Sequence, residues 1–408
     1  MNDPLPRAAS DELLARFRRK IAANAAAWLD FVQVHGHDSA ALDRELANLS
    51  KAAQQALAEP VAWDEGLALV GETWAHIELR GLWQDWRALL ADGLRVSQEI
   101  GRPNHQARLL DQMGEVARLL GDNQRAQEHF EAATTLHRNL ADPAGAGRSL
   151  AYLSQVQLAR NDWDAAGQSC QQAVAMLTGL DRPNELALAH NNWGIVCQEQ
   201  GRLEEALTHF EQAEAGFHAG GALRGQAKVV LNRGDTYRRQ GQWDAAEAAF
   251  RRALPLYEAC GDRLGMAILQ MNLSIVLYQR GQPAEALGLS LEAETALRRL
   301  HNRPILARVC NNHGIFLTAL GRLADASAAF AEAMRLHLEN GDRLYAASAL
   351  INYAEVLIDQ RYWPEARERL AQARGLLDTL TEHPRWVCDD FEVQQARLEA
   401  ATATQPAT

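Results

Sequence analysis

Small, apolar and turn-forming residues recur along this chain at intervals of 40 positions. A clear copy has a small residue at Gly194, a turn glycine at Gly201, then Ala206, Phe210 and Ala213. The last three are spaced by three or four positions, so they lie on one face of a helix. Val, Ile and Thr are sparse, which argues against a large sheet. Each unit therefore predicts two helices joined by a tight turn.

The turn position is the most regular mark of the repeat. It is occupied by Gly81, Gly121, Asn161, Gly201, Gly241, Gly281, Gly321 and Arg361. Glycine there can adopt a positive φ and end the first helix. The small residue seven positions earlier lets the second helix approach the first closely. One such hairpin cannot bury its apolar face, whereas stacked hairpins can.

This pattern resembles the tetratricopeptide repeat family, most explicitly in GIVCQEQGRLEEALTHFEQA (194–213) and GDTYRRQGQWDAAEAAFRRA (234–253). The resemblance covers about 67–380 and implies an all-α, right-handed superhelical solenoid of antiparallel helix pairs. Seven clear repeats begin near residues 107, 147, 187, 227, 267, 307 and 347. An eighth, degenerate repeat has Trp86 in place of the small alanine.

The repeat is longer than the usual 34 residues of the family. The six extra residues are expected between hairpins, in connectors rich in Gly, Asp, Asn and Pro such as 101–106 and 181–186. Each connector contains a helix stop, followed by an N-cap or a first-turn proline. Long repeats of this type resemble the arms of bacterial signalling regulators and of kinesin light chains. The chain has no GxxxxGK[ST] phosphate loop and no DNA-binding module, so the resemblance implies a sensor arm standing alone.

The predicted organisation places the repeats between two caps. Residues 1–66 form an N-terminal helical cap, and 67–100 form the degenerate repeat. The seven repeats occupy 101–380. Residues 381–400 supply a C-terminal capping helix, and 401–408 form a disordered tail.

Composition narrows the class of function. The chain has 408 residues, 47% of them hydrophobic, and a formal net charge of -11. That charge argues against sequence-independent binding of nucleic acid by the whole surface. The five cysteines have no zinc-type spacing, which favours small buried residues in a reducing compartment. No signal peptide or membrane span is evident. We expect a cytoplasmic protein that does not bind membranes, and we expect neither a cofactor nor a metal.

No catalytic motif is evident, so we do not expect an enzyme. The basic cluster RFRRK (16–20) is interpreted as a solvated helix face. The alternative for that cluster is contact with nucleic acid or an acidic partner.

Binding is expected on the first helices of the hairpins, which line the concave groove in the family. Counting each first helix from Ala107, Gly147 and so on, positions 2, 5, 6, 9, 12 and 13 share one side. Position 6 carries a row of asparagines: Asn192, Asn232, Asn272, Asn312 and Asn352. Among the basic residues at positions 2 and 12, which also include Arg118, the predicted binding residues are Arg108, Arg148, Lys228, Arg308 and Arg238. Together these ten residues are the predicted partner-binding site.

Two interpretations of the asparagine row stay open. Its amides can hydrogen-bond successive peptide groups of an extended chain, while the nearby cations hold acidic groups. This resembles part of the carboxylate clamp of peptide-binding members of the family. Alternatively, each asparagine bonds a neighbouring helix or its own preceding turn. Asn191 and Asn311, at position 5, are less regular and equally ambiguous.

We therefore expect a non-enzymatic scaffold or adaptor that captures a segment of a protein or peptide partner, with acidic groups on that partner. The alternative is a regulatory sensor subunit of a bacterial signalling or defence system, gated by a ligand or a signal peptide.

Overall fold

The computed structural model describes residues 7–36, 38–80, 83–380 and 385–403. All regular structure in those ranges is helical, which confirms the predicted all-α class. The chain divides into two compact units, Met1–Gly220 and Gly221–Thr408.

The first unit contains helices α1 to α10. A short 3-10 turn, Pro60–Ala62, links α2 to α3. The helices are α1 (Arg7–His35), α2 (Ser39–Ala58), α3 (Trp63–Arg80), α4 (Trp83–Glu99), α5 (Pro103–Leu119), α6 (Asn123–Asn139), α7 (Pro143–Ala159), α8 (Trp163–Leu177), α9 (Pro183–Glu199) and α10 (Leu203–Ala219).

The second unit contains helices α11 to α19 and repeats the same hairpin arrangement. They are α11 (Leu223–Arg239), α12 (Trp243–Cys260), α13 (Arg263–Gln279), α14 (Pro283–Arg299), α15 (Arg303–Ala319), α16 (Leu323–Glu339), α17 (Arg343–Asp359), α18 (Trp363–Leu377) and α19 (Arg385–Ala403).

The turn inside each hairpin has the predicted left-handed backbone. Gly201 and Gly241 have φ values of 75° and 71°. Asn161 and Arg361 adopt the same conformation, with φ of 59° and 63°, although side chains disfavour it. Gly81 lies outside the described residues. The turn position therefore fixes the backbone even where the residue is not glycine.

The connectors between hairpins are shorter than the pattern suggested. Helix α5 begins at Pro103 and α9 at Pro183, so four of the six residues expected in each connector extend the following helix. Proline fits the first helical position because its missing amide would have no partner there. Asp142 caps α7 by accepting a hydrogen bond from the Gly145 amide at 2.9 Å.

In four of the described hairpins, the two helices cross where a glycine faces a phenylalanine ring. A Cβ placed on Gly314 would lie 2.5 Å from the ring of Phe330, and one on Gly114 would lie 2.7 Å from Phe130. Real Cβ atoms do not approach other atoms so closely. Both rings are buried and anchor the apolar cores of their hairpins. The glycine therefore makes room for the largest core side chain.

Additional helices flank the repeats. Helices α1 and α2 pack on α3, and Trp63 and Trp86 are fully buried among them. Trp86 thus fills the core of the degenerate repeat. At the other end, Val387 and Phe391 of α19 are buried against α17 and α18. Helix α19 continues to Ala403, so the first three residues of the predicted tail are helical; residues 404–408 lie outside the described ranges.

We predict that Gly314→Ala destabilises the protein by about 1–3 kcal/mol, because the new methyl group collides with Phe330. Gly288→Ala on α14 is the matched control, since a Cβ there meets nothing within 4 Å. It should stabilise the helix by about 0.5–1 kcal/mol. Urea unfolding followed by circular dichroism measures both. Equal effects of the two substitutions would contradict the close crossing.

Candidate functional site

A cavity of about 700 Å³ opens on the first helices of the first unit. Its walls come from positions 2, 5, 6, 9 and 12 of those helices, the face that the repeat register predicted. Asn184, Glu185 and Phe217 complete it from the start of α9 and from α10. The remaining lining residues are Gly71, Arg108, Asp111, Gln112, Glu115, Arg118, Arg148, Tyr152, Gln155 and Leu188. We call this the α5–α9 cavity.

A buried carboxylate lies at the wall of the α5–α9 cavity. Asp111 is 6% exposed, and its Oδ2 accepts a hydrogen bond from the Arg148 guanidinium at 2.9 Å. The same oxygen lies 3.1 Å from Nε2 of His137, and Ser149 donates its hydroxyl to Oδ1. Burial alone lowers the pKa of Arg148, but the charge of Asp111 and its hydrogen bond, together with nearby Tyr152 and Glu185, raise that pKa above its ordinary value. The ion pair ties α5 to α7.

His137 extends this network to a second acid. Its Nδ1 lies 2.8 Å from Oδ2 of Asp142, the residue that caps α7. Burial alone raises the pKa of Asp142, but the Gly145 amide and His137 lower it below its ordinary value. Charged side chains from α5, the α6–α7 connector and α7 therefore meet behind the cavity wall.

The other cations of the cavity are also paired. Arg118 lies 2.8 Å from Glu115, and Arg108 lies 2.8 Å from Asp64. Three arginines and three acids, Glu185 among them, line the cavity. The charges therefore balance, and the cavity offers hydrogen-bond donors and acceptors without a strong excess of positive charge.

Tyr152 supplies the aromatic part of the wall. Its ring stacks on Phe130 with a centroid distance of 5.7 Å. Burial, reinforced by nearby Glu115, raises the pKa of Tyr152 to about 12, so its hydroxyl stays protonated at neutral pH. Tyr152 and Gln112 occupy position 6, where later repeats have asparagine. The cavity therefore lies in the repeats where glutamine and tyrosine replace the asparagine of position 6.

Asn192 makes hydrogen bonds in the interior of the first unit. It is 1% exposed, and its amide donates to the Ala151 carbonyl at 2.9 Å and to the Ser154 hydroxyl at 3.0 Å. Asn191 donates to the Asn192 oxygen at 3.2 Å. Asn192 therefore links α7 to α9, which favours the structural interpretation over partner binding at this position.

The four later asparagines lie in the second unit and differ in exposure. Asn272 is 8% exposed, whereas Asn232, Asn312 and Asn352 are partly exposed. Asn352 donates to the Asn311 oxygen at 3.2 Å, so it too contacts the preceding first helix. Burial and this contact reduce the polar surface that the row offers to a partner.

The predicted cations of the second unit also differ. Arg238 is bound to Asp235 at 2.6 Å, and Arg239 approaches the same acid at 3.1 Å. Lys228 and Arg308 are exposed. The ten predicted residues thus do not form one equivalent set: Arg108 and Arg148 line the α5–α9 cavity, and the other eight are not among its lining residues.

The cysteines support the interpretation as small buried residues. Cys170, Cys197 and Cys310 are buried, Cys260 and Cys388 are partly buried, and all five are free. Burial raises the pKa of Cys170 and of Cys310 to about 12. These thiols are poor nucleophiles at neutral pH.

Comparisons with known proteins identify the repeats. Residues 112–181, 187–212 and 225–299 each match a family model described as tetratricopeptide repeat. The chain contains tetratricopeptide repeats. This confirms the resemblance drawn from the 40-residue pattern and the predicted all-α repeat fold.

The relatives of this chain include a regulatory protein. It is 27% identical over 137 residues to regulatory protein AfsR of Streptomyces coelicolor, covering 34% of this chain and 14% of AfsR. The chain thus spans a small part of that relative. In three dimensions, it is similar to a signal-transduction ATPase with a tetratricopeptide repeat sensor from Pyrococcus horikoshii. The TM-score is 0.68 at 15% identity, covering 92% of this chain and 55% of the other.

A second solved structure, a Rap protein complexed with competence and sporulation factor, gives a TM-score of 0.57 at 13% identity. The match covers 92% of this chain and 99% of that chain. At these identities the likeness concerns the fold alone. Within the described residues, no helix has the length and apolar character needed to cross a membrane.

We predict that Asn192→Ala destabilises the first unit by about 1–3 kcal/mol, because two buried hydrogen bonds are lost. Asn312→Ala, at the same repeat position but partly exposed, is the control and should change stability by less than about 0.5 kcal/mol. Urea unfolding measures both. A loss for Asn192→Ala no larger than that for Asn312→Ala would contradict the structural role.

Proposed function

We propose that the α5–α9 cavity captures a segment of a partner protein or peptide, and that the protein is a non-enzymatic scaffold. The observation that carries this proposal is that three successive first helices present one continuous polar and aromatic wall around about 700 Å³. A cavity of that size can take several side chains.

The lining supports recognition of a peptide backbone together with one apolar side chain. Gln155 provides an amide donor and acceptor that match peptide groups, whereas the Gln112 amide donates to the Leu67 carbonyl at 3.5 Å. Leu188 and Phe217 provide an apolar part of the wall. Since the cavity's arginines are paired with acids, the segment need not be strongly acidic. This differs from the partner expected from the cations alone.

A test uses a photo-crosslinking amino acid at Gln155, which lines the cavity, in chain expressed in its native host. Irradiation should join the chain to a discrete partner band, which mass spectrometry of the linked peptide then assigns to one segment. The matched control carries the same amino acid at Gln171, which is exposed on α8 away from the cavity.

Specific capture requires that the band forms from position 155 and not from 171. It should also weaken at least about tenfold when Leu188→Asp is introduced, because a buried carboxylate replaces the apolar wall. A partner joined equally from both positions, or from 171 alone, would place binding elsewhere and overturn the proposal.

A regulatory sensor is the second candidate, and the network behind the cavity favours it. Arg148 lines the cavity, while its partner Asp111 also contacts His137, which lies beside the α7 cap at Asp142. A segment that binds Arg148 can therefore favour one arrangement of α5, α6 and α7 over another. The names of AfsR and of the Pyrococcus sensor protein are consistent with such regulation.

The two candidates differ in a scattering measurement. Small-angle X-ray scattering of the full chain, with and without a synthetic peptide of the crosslinked segment, reports its radius of gyration. The radius of gyration of a sensor should change by more than about 1 Å when the peptide binds. Such a change is measurable relative to the radius that the chain length sets. A scaffold should bind the peptide with an unchanged radius.

A further inference from the structure

The segment 11–20 of α1 is exposed over its whole length in the described structure. All ten residues from Asp11 to Lys20 are exposed. Three of them are large and apolar: Leu13 is 60% exposed, Leu14 44% and Phe17 54%. A solvent-exposed helical segment of this length is only marginally stable in water without tertiary contacts. Three apolar side chains on it therefore indicate a surface that is covered in use.

The exposed apolar residues continue the buried stripe of the same helix. Ile21, Ala25 and Val32 face the core at spacings of four and seven residues. Extending the stripe backwards by the same spacing reaches Phe17 and Leu14. The apolar face thus runs past the point where the described residues of the first unit cover it.

Charge is divided along this projecting segment. Asp11 and Glu12 precede the apolar residues, whereas Arg16, Arg18, Arg19 and Lys20 surround and follow Phe17. Asp11 and Arg18 are seven residues apart, so they flank the stripe on the same side. When two such helices pack antiparallel, flanking residues of the same side face each other. Asp11 of one copy then meets Arg18 of the other, twice by symmetry.

We propose that this segment of α1 pairs antiparallel with the same segment of a second copy of the chain, forming a two-fold dimer. The self-complementary charge carries the choice of occupant. An acidic protein or an anionic membrane would match the basic end but would be repelled by Asp11 and Glu12. Arg18 keeps 45% of its side chain exposed while it contacts Glu59 at 3.1 Å, so it remains accessible to a second acid.

The covered surface is short, so the dimer is weak. Three helical turns per copy bury less than a standard interface, and we expect half-association at about 10–100 μM. Sedimentation velocity of the full chain over a wide concentration range measures this. Phe17→Glu should raise the dissociation constant at least about tenfold, because it places a charge in the apolar seam. Val34→Glu, at a residue 72% exposed on the same helix, is the matched control and should leave it unchanged.

Mixing two variants tests the antiparallel pairing itself. Asp11→Arg alone and Arg18→Asp alone each bring like charges together, so each should dissociate. In an equimolar mixture, both facing pairs become complementary again, and the heterodimer should recover. Circular dichroism and urea unfolding of each variant exclude loss of folding.

Three results would overturn the proposal. The wild-type chain could remain monomeric throughout the range, or Phe17→Glu could leave association unchanged, or the mixture could fail to recover. A monomer that sediments with phosphatidylserine vesicles, and loses that binding in Phe17→Glu, would assign the segment to a membrane surface instead.

Discussion

The close crossing of two helices at a glycine is the constraint from which the rest of the structure follows. In the hairpins of Gly114 and Gly314, the missing side chain is replaced by a phenylalanine ring of the second helix. The ring is buried, and the alanines that flank it on the same stripe are buried too. The hairpin therefore has a fixed internal distance, and its neighbours can stack on it at a regular interval.

This regular interior leaves the first-helix face free to vary. In the first unit the variation produces a cavity whose arginines are each matched by an acid, one of them buried. Burying Asp111 without Arg148 and His137 would be costly, so the network specifies a geometry as well as a charge. A wall of paired charges and amides suits a ligand that is itself made of alternating donors and acceptors, as a peptide backbone is.

The repeat register could be predicted because it depends on residue size and backbone conformation, which a periodic sequence records directly. Gly201 predicts the turn and Phe210 predicts the helix crossing, and neither prediction depends on residues outside the repeat. The roles of polar residues could not be predicted in this way. Asn192 looks the same in sequence as Asn312, yet it is buried and bonded to Ser154 and the Ala151 carbonyl, whereas Asn312 is partly exposed.

Long-range pairing explains the remaining differences. The partner of Arg108 is 44 residues away, and that of Arg148 is 37 residues away. Such distances follow from stacking one repeat on the next, and a motif within one repeat does not contain them. Asn184 and Glu185 line the cavity but lie outside the predicted face. Helix α9 begins at Pro183, four residues before Ala187, where the repeat register starts. A count that started at the proline would have included them.

The crossing pair also determines where chains of this kind can be recombined. Gly194 and Phe210 lie on opposite sides of the turn at Gly201. A chimera joined at that turn therefore takes its glycine from one parent protein and its phenylalanine from the other. A splice in the connector after α10 keeps both members together. Since other hairpins place serine opposite a smaller side chain, as at Ser154 and Cys170, mismatched halves would contain either a void or a collision. The natural unit of exchange is therefore the whole hairpin, cut between hairpins.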